Sequence, residues 1–284
     1  SIQDALTSRM KIMANMDIAE SRRPQDGRIL FKSKMGRIDL RISTYPTLFG
    51  EKTVLRLLNL KEALFPLSSL GFRKDTETNF NNMLYGGEGI ILVSGPTGSG
   101  KTTTLYSTLN KMEKPDINIV TIEDPIEFDL ENINQAQVNT KSGVTFASAL
   151  RSILRQDPDI IMVGEIRDDE TVELAIRAAL TGHLVFSTIH TNDAASGFAR
   201  LLNWEIEPFL IASTVKGILA QRLVRRICEN CKIEHEITDR ESTLLKIDKK
   251  KYAKTFTGKG CLSCRNSGYR LSLIHISEPT RPIR

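Results

Sequence analysis

The sequence is poor in cysteine and has no long apolar run. Its 284 residues include only four cysteines, all in two C-x-x-C pairs, a spacing that suits metal binding in a reducing compartment better than disulfide bonds. No stretch approaches the ~18 consecutive apolar residues of a membrane-spanning helix, and the N-terminus has no signal-peptide pattern. These absences predict a cytoplasmic protein without a membrane span of its own.

Neither sign of charge dominates. Lysine and arginine total 39 against 34 aspartate and glutamate, which gives a net charge of +5. This small excess would suit nucleic acid, an acidic partner or bound phosphate groups, and it selects none of them. The length allows a sizeable buried core, in one large domain or in two to three small ones.

The N-terminal segment has the pattern of a small α+β domain. Apolar and polar residues alternate over 28–31, 38–42 and 54–58, which predicts three short strands. A helix is predicted before them, because apolar side chains recur at helical spacing. The recurring residues are Ile2, Leu6, Met10 and Met13. Since the chain begins inside this helix, we interpret it as a fragment truncated at its N-terminus.

Strands alternate with helices further along the chain. Such an order predicts an α/β domain with a mainly parallel, doubly wound sheet. Length and periodicity give the elements. The predicted strands are 89–94, 117–122, 160–163 and 184–189, and the predicted helices are 101–112, 146–155 and 171–181.

These patterns divide the chain into five segments. The small α+β domain covers 1–62, and a linker over 63–71 follows, where a proline and two serines interrupt the apolar run. The α/β domain covers 72–226, and a cysteine-containing module covers 227–270. The segment 271–284 continues no upstream pattern, so we interpret it as an artefactual tail and leave it out of the fold prediction.

A glycine-rich segment follows the first strand of the α/β domain. It fits G-x-x-x-x-G-K-[ST] at every fixed position and stands between a strand and a helix, as this phosphate-binding loop (P-loop) requires. Its backbone N–H groups would face a triphosphate at the positive end of the helix, with Lys101 on the outer phosphates and Thr102 on Mg²⁺. A chance glycine-rich turn is the alternative. The predicted ATP-binding residues are Gly95, Pro96, Thr97, Gly98, Ser99, Gly100, Lys101, Thr102 and Thr103.

Two acidic clusters could supply the remaining groups for ATP hydrolysis. The reaction needs one carboxylate that orients water and another that holds the metal, at the ends of neighbouring strands. Glu123 follows one predicted strand, and Glu165 ends an apolar strand as in a Walker B element. A solvated loop acid is the alternative for either residue alone. Histidines 183 and 190 bracket another strand, where a polar cap is the commoner role.

The cysteine pairs have the pattern of a tetrahedral metal site. Cys228 and Cys231 form one C-x-x-C pair, Cys261 and Cys264 form the other, and 29 residues lie between the pairs. Four thiolates in two knuckles are the ligand set of structural Zn²⁺. Redox and nucleic-acid roles are the alternatives.

Five ordered blocks together resemble one family, the ATPases of type II secretion and type IV pilus assembly. The resemblance covers nearly all of residues 1–270 and implies a RecA-like P-loop domain, a small PAS-like α+β domain before it and the tetracysteine zinc module after it. The blocks are RRPQDGR at 22–28, the P-loop, TIEDPIEF at 121–128, LRSILRQDPD at 150–159 running into GEIRD at 164–168, and TGHLVFSTIHTNDA at 181–194.

The resemblance implies roles for the polar residues at the strand ends. Glu123 would be the general base that orients the attacking water, and Glu165 would be the Walker B carboxylate that helps to hold Mg²⁺. His190, with His183 nearby, would sense or position the γ-phosphate.

The resemblance also implies an assembly. Six identical subunits would form a ring, and closure of the small domain about a hinge near 60–71 would bring Arg41 and Arg56 to the transition-state charge. The partners would be an inner-membrane platform protein, which assembles pilins or pseudopilins, and a membrane docking protein. The motor would thus lie peripherally at the inner membrane, and no nucleic acid is expected.

Several alternatives remain open at this point. The tetracysteine module resembles secretion and pilus-extension members more than retraction members, but it does not separate secretion from extension. A RecA-like nucleic-acid motor would also explain ATP binding and the positive charge. An ATP-gated scaffold would bind ATP without hydrolysing it. Family members usually continue with Gly-Arg-x-Gly after Arg270, and that segment is absent here.

Overall fold

A computed structural model describes residues 2–33, 36–59, 65–248 and 254–279. The chain divides into two compact units, Ser1–Phe65 and Pro66–Arg284. Within the described residues, no helix has both the length and the apolar composition needed to cross a membrane.

The first unit is a helix with a three-stranded antiparallel sheet. Helix α1 spans Ile2–Met13, and strands β1 (Gln25–Ser33), β2 (Gly36–Thr47) and β3 (Gly50–Asn59) pair in that order. The three predicted strands are present and are longer than expected, because each hairpin continues its ladder to the turn. Among the described residues of this unit, Ala14, Ile29 and Ile42 form the buried apolar cluster.

Helix α1 buries a polar face. The predicted helix is confirmed, but Ile2 and Leu6 are 82% and 53% exposed, whereas Thr7 and Lys11 are buried. The Lys11 ammonium lies 2.6 Å from a Glu51 carboxylate oxygen. A buried lysine needs a paired negative charge of this kind. The side of α1 that packs against the sheet is therefore set by this ion pair and not by the apolar residues at helical spacing.

The second unit is an α/β domain with seven strands in its main sheet. Its helices are α2 (Lys74–Leu84), α3 (Lys101–Met112), α4 (Phe146–Ile153), α5 (Asp169–Leu180), α6 (Ala194–Asn203), α7 (Pro208–Thr214) and α8 (Asp239–Leu245). Its strands are β4 (Gly89–Ser94), β5 (Ile119–Glu123), β6 (Asn134–Gln137), β7 (Ile160–Val163), β8 (Leu184–Ile189), β9 (Val215–Ile227), β10 (Lys232–Glu236), β11 (Lys254–Gly258) and β12 (Tyr269–Pro279).

The main sheet has the order β12-β9-β4-β8-β7-β5-β6. All neighbours in it are parallel except β12, which runs antiparallel to β9. The central strands are buried along their whole length, as strands covered on both faces must be. Successive residues of β4 enter two separate cores, with Ile90 and Leu92 in one and Ile91 and Val93 in the other. The predicted mainly parallel α/β fold is confirmed.

Three features differ from the sequence patterns. Strand β9 carries arginines and was not predicted, although it lies beside β4 in the sheet. Tyr269–Pro279 pairs with Ile227–Gly217, so part of the segment interpreted as a tail forms the antiparallel edge strand; residues 280–284 lie outside the described part. Within the predicted linker, Leu67 and Leu70 are buried in a core of the second unit, and residues 60–64 of the predicted hinge lie outside the described residues.

Candidate nucleotide site

Four adjacent parallel strands end at the same edge of the main sheet. The last residue of β4 pairs with the last residue of β8, and β7 and β5 continue the row. The residues that follow these strands are therefore neighbours, although they are far apart in sequence. They are Gly95 after β4, His190 after β8, Glu165 just beyond β7 and, as the final residue of β5, Glu123.

The P-loop at this edge has the backbone conformation that phosphate binding needs. Gly98 and Gly100 have φ values of 75° and 87°, in the left-handed region that favours glycine. Gly100 is also the N-cap of α3, so the first amides of that helix face the loop. The Ser99 hydroxyl is buried and has no hydrogen-bond partner among the described residues. A helix N-terminus, curled amides and an unpartnered hydroxyl fit a bound anion.

Lys101 is enclosed by the loop that precedes it. Its Nζ donates to the carbonyl oxygens of Gly95 and Pro96 at 2.8 Å and 3.1 Å. Burial lowers the pKa of this ammonium, and the nearby Glu165 carboxylate opposes that shift. Thr102 and Thr103 follow in the first turn of α3 and are half-buried. The predicted phosphate-binding residues thus lie together at the start of α3 and in the loop that precedes it.

Glu165 lies between a histidine and an arginine. Its Oε2 is 3.6 Å from His190 Nε2, and its Oε1 accepts a hydrogen bond from Arg167. Arg167 also lies 3.9 Å from the Asp124 carboxylate, so it bridges the two acidic clusters. Burial and the positive charge of Lys101 lower the pKa of His190 below its usual 6.5. The lowered pKa favours the neutral imidazole at pH 7, although the Glu165 carboxylate opposes the shift.

Glu123 is only 3% exposed, and its carboxylate is surrounded by hydrogen-bond donors. It accepts hydrogen bonds from the Tyr106 hydroxyl, from Thr121 Oγ1 at 2.6 Å and from Gln135 Nε2 at 3.0 Å. Burial and the adjacent carboxylate raise the pKa of Tyr106 far above its ordinary value, so the phenol stays protonated and donates. Of the roughly four acceptor positions of this carboxylate, these donors occupy two on Oε1 and one on Oε2.

His183 lies at the opposite edge of the sheet. It precedes β8, and its carbonyl accepts a hydrogen bond from Gly89 at the start of β4. Its ring Nδ1 lies 2.9 Å from the Ala178 carbonyl. Because β8 is six residues long and a strand rises ~3.3 Å per residue, ~20 Å separates this position from the P-loop edge. Two histidines that bracket a strand necessarily lie at its two ends, so the structure does not bring His183 to the site.

Arg41 and Arg56 belong to the first unit. They are directly paired across β2 and β3, so their side chains emerge on the same face of that sheet. Arg56 is exposed and Arg41 is partly buried. Their role at a nucleotide stays a prediction.

Sequence patterns missed four residues of this edge. Tyr106 and Gln135 hold Glu123, Arg167 joins the two acidic clusters, and Gln221 of β9 contacts the P-loop. Arg167 lies inside one of the recognised blocks. Nothing in the spacing of Tyr106, Gln135 or Gln221 indicates a site, because each meets its partner only through the sheet topology.

The four cysteines form a separate cluster. Their sulfur atoms all lie within 4.8 Å of one another, with Cys228–Cys261 at 3.9 Å and Cys231–Cys264 at 3.8 Å. Tetrahedral zinc with Zn–S bonds of ~2.3 Å would separate its sulfurs by ~3.8 Å. The Cys264 sulfur also accepts hydrogen bonds from two backbone amides, which favours its thiolate form. The cluster fits the predicted zinc ligand set.

Comparison with known proteins finds relatives that are named as ATPases, as the arrangement of the P-loop and the acidic residues suggests. A family model described as "Type II/IV secretion system protein" matches residues 1–280. The chain is 49% identical over 269 residues to "Type II secretion system ATPase E" of Vibrio cholerae serotype O1. The aligned region covers 95% of this chain and 54% of that protein. It is also 50% identical over 273 residues to "Type IV pilus assembly ATPase PilB" of Myxococcus xanthus. That alignment covers 95% of this chain and 48% of the pilus protein.

Solved structures with the same fold include two ATPases. The crystal structure of the pilus retraction motor PilT with bound ADP gives a TM-score of 0.63 at 30% identity and covers 92% of this chain and 65% of that one. The structure of the ATPase DotB of Legionella pneumophila gives a TM-score of 0.60 at 29% sequence identity. That match covers 71% of this chain and 58% of the DotB chain. The chain spans about half the length of the curated relatives it matches.

Proposed function

The chain belongs to the type II/IV secretion system protein family, and from this membership we propose that it binds and hydrolyses Mg-ATP as the motor of a secretion or pilus assembly machine. The observation that carries the proposal is the shared sheet edge, where the P-loop, Glu165 and His190 lie together and Glu123 ends the next strand. Relatives from secretion and from pilus assembly are equally similar, so the proposal covers both processes.

The roles of the residues follow from their positions. Lys101 and the P-loop amides would hold the phosphates, and Thr102 with Glu165 would hold Mg²⁺, which neutralises charge on the transferring phosphoryl group. Neutral His190 would donate or accept a hydrogen bond near the γ-phosphate. Glu123 would be the general base that orients the attacking water.

At the level of assembly, we propose a homohexamer at the inner membrane. The RecA-like domain over 72–226 would turn over ATP, and the small domain over 1–62 would present Arg41 and Arg56 on closure. Nucleotide would drive closure because it binds the closed state more tightly. The platform and docking proteins would connect the ring to the membrane. The module over 227–270 would hold structural Zn²⁺ through its four cysteines.

Two substitutions test this function. Lys101→Ala is expected to abolish detectable binding of a fluorescent ATP analogue in the presence of Mg²⁺. Glu123→Gln is expected to keep that binding and to lower phosphate release ~10²–10⁴-fold, the usual contribution of a general base. If Glu123→Gln released phosphate at the parental rate, the base assignment would be lost, and a parent that binds without turnover would favour a scaffold. Stimulation of turnover by nucleic acid with a steep salt dependence would favour the nucleic-acid motor.

A further inference from the structure

A buried glutamine of β9 lies against the P-loop. Gln221 is 1% exposed and follows Ala220, which pairs with the last residue of β4. Its side-chain Nε2 donates to the Ser99 carbonyl oxygen at 2.8 Å. Its Oε1 accepts a hydrogen bond from Thr104 Oγ1 at 2.9 Å. One side chain therefore links the fifth residue of the P-loop to the first turns of α3.

The main chain of Gln221 contacts the start of the loop. A Cβ atom added at Gly95 would lie 2.4 Å from the Gln221 carbonyl oxygen, far inside van der Waals contact. The first glycine of the motif is therefore required by β9 as well as by the turn. Gln221 thus touches both the first and the fifth residue of the P-loop, although more than a hundred residues separate it from them.

We propose that Gln221 is a positioning residue for nucleotide binding, which holds the P-loop in its anion-binding shape. Its amide holds the Ser99 carbonyl toward β9, so that this oxygen does not face the phosphates and the loop N–H groups do. The inference rests on the proposed function, because it concerns the same nucleotide. Gln221 contacts the P-loop, and we assign it no direct contact with the nucleotide.

An amide suits this position better than other side chains. It offers a donor to the Ser99 carbonyl and an acceptor to the Thr104 hydroxyl at the same time. A leucine would leave both of these buried groups without a partner, and an unsatisfied buried polar group disfavours the native arrangement. A glutamate would keep the acceptor for Thr104 but would place an oxygen against the Ser99 carbonyl. Gln221→Glu therefore removes the donor alone, whereas Gln221→Leu removes the donor and the acceptor together.

The test measures Mg-ATP affinity, steady-state turnover and thermal unfolding without nucleotide, all on the 284-residue chain. Gln221→Leu and Gln221→Glu are both expected to raise the Kd of Mg-ATP and the KM about tenfold or more, while kcat stays within about twofold. Thr104→Val is expected to raise the Kd by a smaller factor. In the Gln221→Leu background it should raise the Kd no further, because the two residues act through one hydrogen-bonded unit.

Thr108→Val provides the matched control. Thr108 is also buried on α3, but its hydroxyl bonds the Thr104 carbonyl within the helix, so its loss should lower the melting temperature and leave the Kd unchanged. Parental affinity in a folded Gln221→Leu or Gln221→Glu variant would overturn the inference, as would a Kd that rises equally in Thr108→Val. If Gln221→Leu does not fold, Gln221→Glu and Thr104→Val decide. Failure of the parent itself to bind Mg-ATP would instead refute the proposed function.

Discussion

The P-loop edge and the tetracysteine module lie in the same unit, but different forces hold them in shape. The edge rests on strands that are buried along their length and on two extensive apolar cores. The described residues of the module form mostly exposed strands and a helix α8 without buried residues, and few of their side chains are buried beyond Cys228, Cys264 and Ile237. The sheet can therefore order the edge before any ligand binds, whereas a bound metal would have to replace a core in the module.

Removal of zinc should give the largest effect, which is loss of ordered structure in the module. The P-loop edge should be unaffected. Structural zinc contributes ~10–16 kcal/mol of apparent binding free energy in small zinc domains. A chelator or Cys261→Ser is therefore expected to abolish amide protection across 228–268 in hydrogen exchange, with Mg-ATP affinity within about twofold of the parent. Unchanged protection after complete metal removal, or freshly purified protein without stoichiometric zinc, would contradict the distinction between the two regions.

Truncation of one aromatic residue in each region tests whether apolar packing differs between them. Phe186→Ala in β8 removes a fully buried ring and is expected to cost ~3–5 kcal/mol in the free energy of unfolding. Phe256→Ala in β11 removes a half-exposed ring that lies under the Lys232 ammonium at 4.2 Å, and its expected cost is ~1 kcal/mol or less. Urea unfolding measures both. Equal costs would mean that the module has a core of its own.

Within the edge, Tyr106→Phe tests the hydrogen bonds that hold Glu123. Loss of a bond to a buried charged group is expected to cost ~1.5–3 kcal/mol in the free energy of unfolding. Tyr85→Phe is the control, because that side chain is 77% exposed and should change stability little. The affinity for Mg-ATP should stay near the parental value in both variants, since the Tyr106 hydroxyl bonds Glu123 and not the P-loop. Equal stability of the two variants would contradict a structural role for the Tyr106 hydroxyl.

The smallest effect is expected from His190 and depends on pH. Because its pKa is lowered in the folded protein, the unfolded chain binds more protons between that pKa and 6.5, and stability rises with pH in this window. Acidification from pH 7 to 5 should therefore lower the melting temperature slightly more in the parent than in His190→Gln. A steeper fall in the variant would mean that Glu165 stabilises protonated His190 and outweighs burial and Lys101.

Local patterns predicted the elements that carry the site. Strands β4, β7 and β8 and helix α3 have the predicted bounds, because continuous apolar runs and a glycine-rich turn mark them. The helix of the first unit was predicted from its apolar spacing, but its buried face follows the Lys11–Glu51 ion pair. Strand β9 escaped prediction because arginines interrupt its second half, where burial becomes partial.

What the sequence determined alone was the set of chemical groups: a P-loop motif that contains Lys101, acids that follow apolar strands, and four thiols in two pairs. Tertiary structure decided which of these groups meet. The strand order brought Glu165 and His190 to the P-loop and left His183 at the opposite edge, and it enclosed Glu123 among Tyr106 and Gln135. The reason is that spacing along a chain fixes only neighbours within a helix or a strand, whereas contacts between strands depend on how the whole sheet is ordered.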